Sequence, residues 1–204
     1  MMIKAVQHRL LGLFKIAKSF LIYDEEIAVA VDAGHSSWCA RRIVEALREV
    51  GLTPGDLKLC VLTHRHWDHS GGVRALKEMT GCEVAIHEGD AEALGNVIDH
   101  RLRDGEVIPL LGGIRVIHVP GHTPGSICLL HGDSLIVGDA LIGGRRGLKP
   151  PASIYCDDYE EALRSLERLR SLDFEAVYVS HGVDRVKGGK GALIELLNRL
   201  GSAS

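Results

Sequence analysis

Apolar residues along this chain follow two rhythms. Short runs at SFLIY (19–23), LKLCVLT (57–63), EVAIH (83–87), IRVIHVP (114–120), SICLLHG (126–132), SLIVGD (134–139) and AVYVS (176–180) are bounded by glycine, proline or acidic residues and predict strands. SFLIY and the following IAVAVDAG, separated by Asp24, Glu25 and Glu26, predict a hairpin of half-buried strands. Elsewhere the period lengthens. Ala40, Ile43, Leu47 and Val50 share one face of a helix predicted from Trp38 to Val50, with Ser36 or Ser37 as its cap and Gly51 as its end. An amphipathic helix is predicted from Tyr159 to Leu172 behind Asp157 and Asp158, and a last one through ALIELLNRL. The strands outnumber what one helix-flanked parallel sheet requires, so two sheets with helices outside them are expected, in one domain over residues 1–204.

The stretch THRHWDHSGG follows LKLCVLT directly and therefore sits at a strand's carboxyl end. Neutral imidazole is the commonest protein metal ligand, and carboxylate oxygen completes zinc or iron sites. In an extended loop His64 and His66 project to one side, while Asp68 and His69 reach a second point a few Å away, a spacing that suits two ions better than one. One loop does not complete two coordination shells. PGHTPG brings His122, VGDA brings Asp139 and VSHG brings His181 to strand ends as well. Singly, His122 reads as shaping a turn, Asp139 as capping one and His181 as a surface histidine; jointly they point to a metal site.

Composition narrows the partners. A chain of 204 residues, 46% hydrophobic, buries a core as one domain. A net charge of −3 and a pI near 6.4 offer no global attraction to a polyanion, so nucleic acid is not expected. Lys15 and Lys18 interrupt the basic, leucine-bearing N-terminal segment before a signal peptide or membrane span forms, which reads as a soluble, cytoplasmic chain. Cys39, Cys60, Cys82, Cys128 and Cys156 are spread widely without a CxxC pair and read as small buried apolar residues in a reducing compartment.

From VDAG (Asp32) through THRHWDHSGG, GHTPGS and VGDA to VSHG, the sequence resembles the metallo-β-lactamase superfamily of metallohydrolases, in family order. The resemblance implies an α+β fold, a four-layer αββα sandwich with metals at the edge of its two sheets. It implies one metal held by His64, His66 and His122, a second held by Asp68, His69 and His181, and Asp139 bridging them. The ions would be divalent, zinc first, with iron or manganese also suited to these donors. Asp32 would orient the loop from behind or simply form a strand-end turn. The flavodiiron branch carries glutamate at the position of His66, which argues against that branch. Two ions about 3.5–4 Å apart lower the pKa of a shared water toward about 7 and make it a nucleophile, so the expected reaction is metal-assisted hydrolysis with Asp68 and Asp139 as catalytic carboxylates.

GHTPGS and the strand after it look most like glyoxalase II (hydroxyacylglutathione hydrolase) and its small relatives, which implies a small-molecule thioester, ester or lactone. Glyoxalase II carries a helical C-terminal domain that contributes to glutathione binding, and this chain continues only briefly past His181, so tolerance for several small substrates is expected. The alternative is a mononuclear iron persulfide dioxygenase using His64, His122 and Asp139; a non-catalytic binding module is disfavoured by the complete set of seven ligands. Arg145 and Arg146, with Lys149, lie in the glycine-rich loop after Asp139 and either pair with a substrate anion or form an ordinary solvated loop. His35 either faces the cleft or belongs to its loop, and Trp67 either walls the site or packs beneath it. His8, His87, His100, His118 and His131 have no ligand context. The N-terminal segment or the final helix would supply any homodimer contact.

Overall fold

The structure is a computed structural model and describes residues 2–10, 14–184 and 187–202. Six strands, β1 (Met2–Leu10), β2 (Phe14–Tyr23), β3 (Ala28–Val31), β4 (Leu57–Leu62), β5 (Glu83–His87) and β6 (His100–Leu102), form one sheet in that order. The first three are antiparallel and the last four run parallel. A second sheet holds β7 (Val107–Ile108), β8 (Ile114–His118), β9 (Ile127–His131) and β10 (Ser134–Ile136). A hairpin of β11 (Ile142–Gly144) and β12 (Gly147–Lys149) follows, and β13 (Ala176–Tyr178) then returns to pair parallel with β10.

Alternation along the strands builds three apolar layers. Phe20, Ile22, Val29, Val31 and Val61 meet Ile114, Val116, Ile127, Leu129 and Ile136 between the sheets. Their neighbours Leu21, Ala30, Cys60 and Val84 face the other way, against α1 (Ser37–Glu49) through Ala40, Ile43 and Leu47, and against Leu76 of α3 (Val73–Thr80), which follows the short α2 (Trp67–Ser70). On the far side Ile117, Cys128, Leu135 and Val177 pack on Leu166, Leu169, Leu193 and Leu197. The helices there are α5 (Tyr159–Ser165), with its tail, and α6 (Gly189–Gly201); α4 (Glu88–Leu94) follows β5 at the edge. The result is the expected helix–sheet–sheet–helix order. Among the described residues no helix is long and apolar enough to cross a membrane.

Several boundaries differ from the sequence reading. The N-terminal segment forms a long hairpin with β2, and only part of β1 is buried, so the edge strand carries too weak an alternation to be read; residues 11–13 of that segment lie outside those described. Ser36 occupies the cap position of α1, but its hydroxyl turns to Cys39 Sγ at 3.9 Å and makes no cap bond. The predicted Tyr159–Leu172 helix is α-helical only to Ser165 and continues as a 3₁₀ helix from Leu166 to Ser171, because Leu166 and Leu169 bury equally well at a spacing of three. Cys156, unlike the other four cysteines, is only half-buried.

Candidate metal centre

The carboxyl ends of β3, β4, β8, β10 and β13 converge at one edge of the sandwich. Asp32 follows β3 in a left-handed conformation, φ +62°, which an aspartate tolerates better than most residues. Its carboxylate accepts from Thr63 N at 2.8 Å and from the Thr63 hydroxyl at 2.9 Å, and faces His69 Nδ1 at 2.7 Å. Thr63 Oγ1 in turn lies 3.1 Å from His64 Nδ1. Both imidazoles are thereby held by Nδ1, leaving Nε2 to point into the site. The loop folds back closely enough that a Cβ on Gly72 would come within 2.3 Å of the Ala33 carbonyl oxygen, which explains the glycine there.

Three groups of side chains bring ligand atoms within 4.8 Å of one another: His64, His66 and His122; His64, His69 and Asp139; and Asp68, His69 and His181. His66 Nδ1 and His122 Nε2 face each other at 3.0 Å. Asp139 divides its oxygens between the groups: Oδ1 lies 3.2 Å from His69 Nε2 and 3.3 Å from His181 Nε2, and Oδ2 lies 3.5 Å from His122 Nε2. Asp68 Oδ2 is 3.5 Å from His181 Nε2. His64 Nε2, His69 Nε2 and Asp139 Oδ1 are buried without a partner in hydrogen-bonding geometry; the close approach of His69 to Asp139 is charge proximity, not an aligned hydrogen bond. Buried polar atoms left this way are costly, and a cation among them would satisfy them together. The donor set therefore fits divalent metal.

The electrostatics separate the groups. Burial holds His64 well below the usual imidazole range, and burial with neighbouring imidazoles brings His122 down to about 4 despite Asp139. His66 is lowered by burial too. Burial also opposes charge on His69 and His181, but Asp139 and Asp32 override it at His69, which is raised well above normal, and Asp139 and Asp68 raise His181 to about 9. Burial disfavours the Asp139 carboxylate, yet His69 and His181 hold it well below the ordinary carboxylate range.

Further residues brace the ligands. Asp90 of α4 is buried and accepts from Arg65 N at 2.8 Å, Arg65 Nη1 at 3.0 Å, the Thr123 hydroxyl at 2.6 Å and Gly125 N at 2.9 Å, joining the His64–His69 loop to the His122 turn. A Cβ on Gly125 would meet Asp90 at 2.6 Å. Lys18 of β2, 6% exposed, donates from Nζ to Gly182 O at 3.2 Å and to Asp184 Oδ1 at 2.6 Å, just beyond His181 in the same loop. Cys156 Sγ is 3.6 Å from His122 Nδ1. Sequence reading missed these residues. Lys18 stands directly before the predicted SFLIY run, and only the structure places it within β2.

The sequence pattern of the metallo-beta-lactamase superfamily matches residues 14–181. The chain belongs to this superfamily. Its relatives include hydroxyacylglutathione hydrolase 1 of Vibrio vulnificus, 30% identical over 79% of this chain and 60% of that protein, and an N-acyl homoserine lactonase of a Bacillus species, 29% identical over 73% of this chain and 65% of that protein. The chain spans roughly half to three-fifths of the length of the first hydroxyacylglutathione hydrolases it matches. A metallo-beta-lactamase family protein of Thermus thermophilus shares the fold with a TM-score of 0.76 at 22% identity, covering 98% of this chain and 79% of that one.

Within this metallo-beta-lactamase fold the seven residues read as ligands are brought together: His66, Asp68, His122, Asp139 and His181 line one open cavity, and His64 and His69 lie buried beside them. Arg145 and Arg146 are not among them; they stand exposed at the turn between β11 and β12 and do not line that cavity. Trp67 is one of its walls, with its ring 5.6 Å from that of His35. The remaining histidines have other partners: His8 faces Ser19 Oγ, His87 stacks on His118, His100 meets Glu83 and His131 faces the Gly113 carbonyl.

Proposed function

We propose that the chain is a dinuclear metal-dependent hydrolase that cleaves an ester, thioester or lactone of a small molecule. The observation that carries this reading is the division of Asp139 between two groups, with its two oxygens facing different histidines around orphaned, inward-pointing nitrogens. One ion would be held by His64, His66 and His122, a second by Asp68, His69 and His181, with Asp139 between them. Nitrogen and carboxylate donors without a thiolate suit zinc, and also iron or manganese. Bound divalent ions supply Lewis acidity and bring the pKa of water toward about 7.

The chain's own groups do the rest. Asp32 and Thr63 hold His69 and His64 in one tautomer each. Asp68 lines the cavity, so its carboxylate is placed to accept a proton from the attacking water and to return one to the leaving group. Arg145 and Arg146 would act on an anionic substrate from outside the cavity. Among the curated relatives a hydroxyacylglutathione hydrolase and an N-acyl homoserine lactonase support acyl transfer to water as the reaction class. Free cysteines, four of them buried, fit a cytoplasmic location.

Metal analysis of zinc-replete protein should find close to two ions per chain, with hydrolysis of acyl esters or thioesters lost on chelation and restored by zinc. One ion per chain, with Asp68, His69 and His181 dispensable and oxygen consumed with glutathione persulfide, would overturn the proposal in favour of a mononuclear iron oxygenase.

A further inference from the structure

The metal ligands account for the floor of the cavity and leave its walls unexplained. The space of about 770 Å³ is bounded by Ile16, Trp67, Ile142, Ile154 and Tyr155, and among the described residues no lysine or arginine lines it. Trp67, Ile154 and Tyr155 are 60%, 81% and 64% exposed, an orientation that forgoes apolar burial unless something covers them. Scattered singly, such residues are ordinary; gathered around a concave site, they mark what it binds.

These side chains stand on anchored backbone. Trp67 opens α2 between His66 and Asp68, so its position is set by the ligand loop itself. Ile154 and Tyr155 share a single 3₁₀ turn, Ser153–Tyr155. The chain leaving that turn is tied to the His122 segment, with Asp157 N donating to His122 O at 3.2 Å and Asp158 N to Gly121 O at 2.9 Å. Arg65 Nη2 reaches Asp157 at 2.6 Å from the other ligand loop. The apolar wall is therefore fixed to both ligand-bearing loops.

We infer that this wall receives the apolar acyl group of a neutral ester or thioester, an inference that rests on the hydrolase reading above. The charge pattern agrees with the shape. Beyond the ligands themselves the lining side chains offer one charged group, Asp157, and the guanidinium of Arg65, in the ligand loop, is engaged by Asp90 and Asp157. An anionic tripeptide such as glutathione finds no lysine or arginine among the described lining residues, whereas an alkyl or aryl acyl group finds an indole, a phenol ring and a branched chain.

The test is a series of p-nitrophenyl esters from acetate to octanoate, with S-lactoylglutathione alongside, on zinc-replete protein. The leaving group is constant, so the series isolates the acyl pocket. Specificity, kcat/KM, should rise about three- to fourfold per added methylene until the wall is covered. Trp67→Ala and Tyr155→Ala should each lower the octanoate-to-acetate ratio about tenfold or more, while Val107→Ala, at an exposed apolar position of β7, should leave that ratio unchanged. In a Trp38→Phe background Trp67 is the remaining indole of the two, and its emission should respond saturably to octanamide and not to acetamide. A flat acyl series with lactoylglutathione preferred would overturn the acyl wall and leave the hydrolase reading standing. Hydrolysis of nothing in the series would overturn the hydrolase reading, and the octanamide titration would then decide the wall alone: saturable binding sustains it, no response sinks it.

Discussion

The first sheet supplies His64, His66, Asp68 and His69 from one short stretch of chain, whereas the second supplies His122, Asp139 and His181 from three separate segments. The first set is fixed from within its own sheet, by Asp32 at the end of β3 and Thr63 at the end of β4. The second set is fixed by reaching across. Ile127 N donates to Thr63 O at 2.9 Å, Lys18 N donates to Ser180 O at 2.9 Å, and Asp90 gathers the Thr123 hydroxyl and Gly125 N. A compact ligand loop needs only local bracing. Ligands scattered over a sheet edge need polar contacts between sheets, so their positions depend on residues far away in sequence.

The joint between the two sets is Asp139, and its removal should have the largest effect. Asp139→Ala takes away the carboxylate that faces both groups, so metal content should fall from about two ions to one or fewer per chain. Hydrolysis should drop on the order of 10³-fold, beyond the roughly 10–100-fold typical of residues that only orient a ligand. Elemental analysis and ester hydrolysis on the same preparation check this, with circular dichroism to confirm the fold. Full metal occupancy with normal turnover would show that the two sets function separately.

Asp90→Ala tests the cross-sheet brace of His122. It leaves Arg65 N, Arg65 Nη1 and Gly125 N without their acceptor and the Thr123 hydroxyl with Ser126 alone, and breaking a buried pair by removing one partner is expensive. Because Arg65 remains partly exposed, the expected cost is about 3 kcal/mol, or roughly 6–12 °C in Tm for a chain of this size. Metal affinity should fall about 10–100-fold as the His122 turn loosens. Calorimetry and a metal-competition titration measure the two effects independently.

Asp32→Asn and Lys18→Met compare the bracing modes directly. Asparagine retains the Thr63 contact but weakens the hold on His69 Nδ1, so the group shared by Asp68, His69 and His181 should lose affinity about tenfold. Methionine at position 18 keeps the packing volume and releases Gly182 O and Asp184, which loosens His181 alone. The expected result is about one ion retained per chain at limiting zinc, with a smaller loss of affinity than Asp32→Asn produces. Equal losses in both variants would mean that distance from the ligand loop does not matter.

The same contrast decides what was legible in the sequence. His64 to His69 could be read because a buried strand running into dense imidazole would crowd unpaired polar groups at a cost that only a shared cation offsets. His122, Asp139 and His181 became readable only jointly, as polar residues at successive strand ends. Asp90 could not be read: in EGDAEAL it looks like a solvated residue in the first turn of a helix, and only the fold brings it to 2.6 Å from Thr123. β1 stayed hidden for a related reason. As an edge strand it buries little more than Val6 and His8, so its alternation barely shows. The long apolar runs could be read as central strands, because a strand buried on both faces is apolar almost throughout, as β4 is.

The smallest effect belongs to the basic hairpin, which the sequence left open as either a substrate anchor or an ordinary solvated loop. Arg145 and Arg146 sit at an exposed turn and do not line the cavity, so a charge there acts on the substrate through solvent. At physiological ionic strength the Debye length is about 8 Å, which leaves exposed charges a weak influence beyond their immediate neighbours. The double variant Arg145→Ala/Arg146→Ala should change stability by less than about 0.5 kcal/mol. For a neutral ester its KM should stay within about twofold, and for an anionic thioester it should rise by about threefold at low salt, with the difference vanishing as salt is added. Measuring KM for both substrates at two ionic strengths is enough. A tenfold, salt-insensitive rise for the anionic substrate alone would place a guanidinium in direct contact with it, and would require the β11–β12 hairpin to fold inward over the metal centre when substrate is bound.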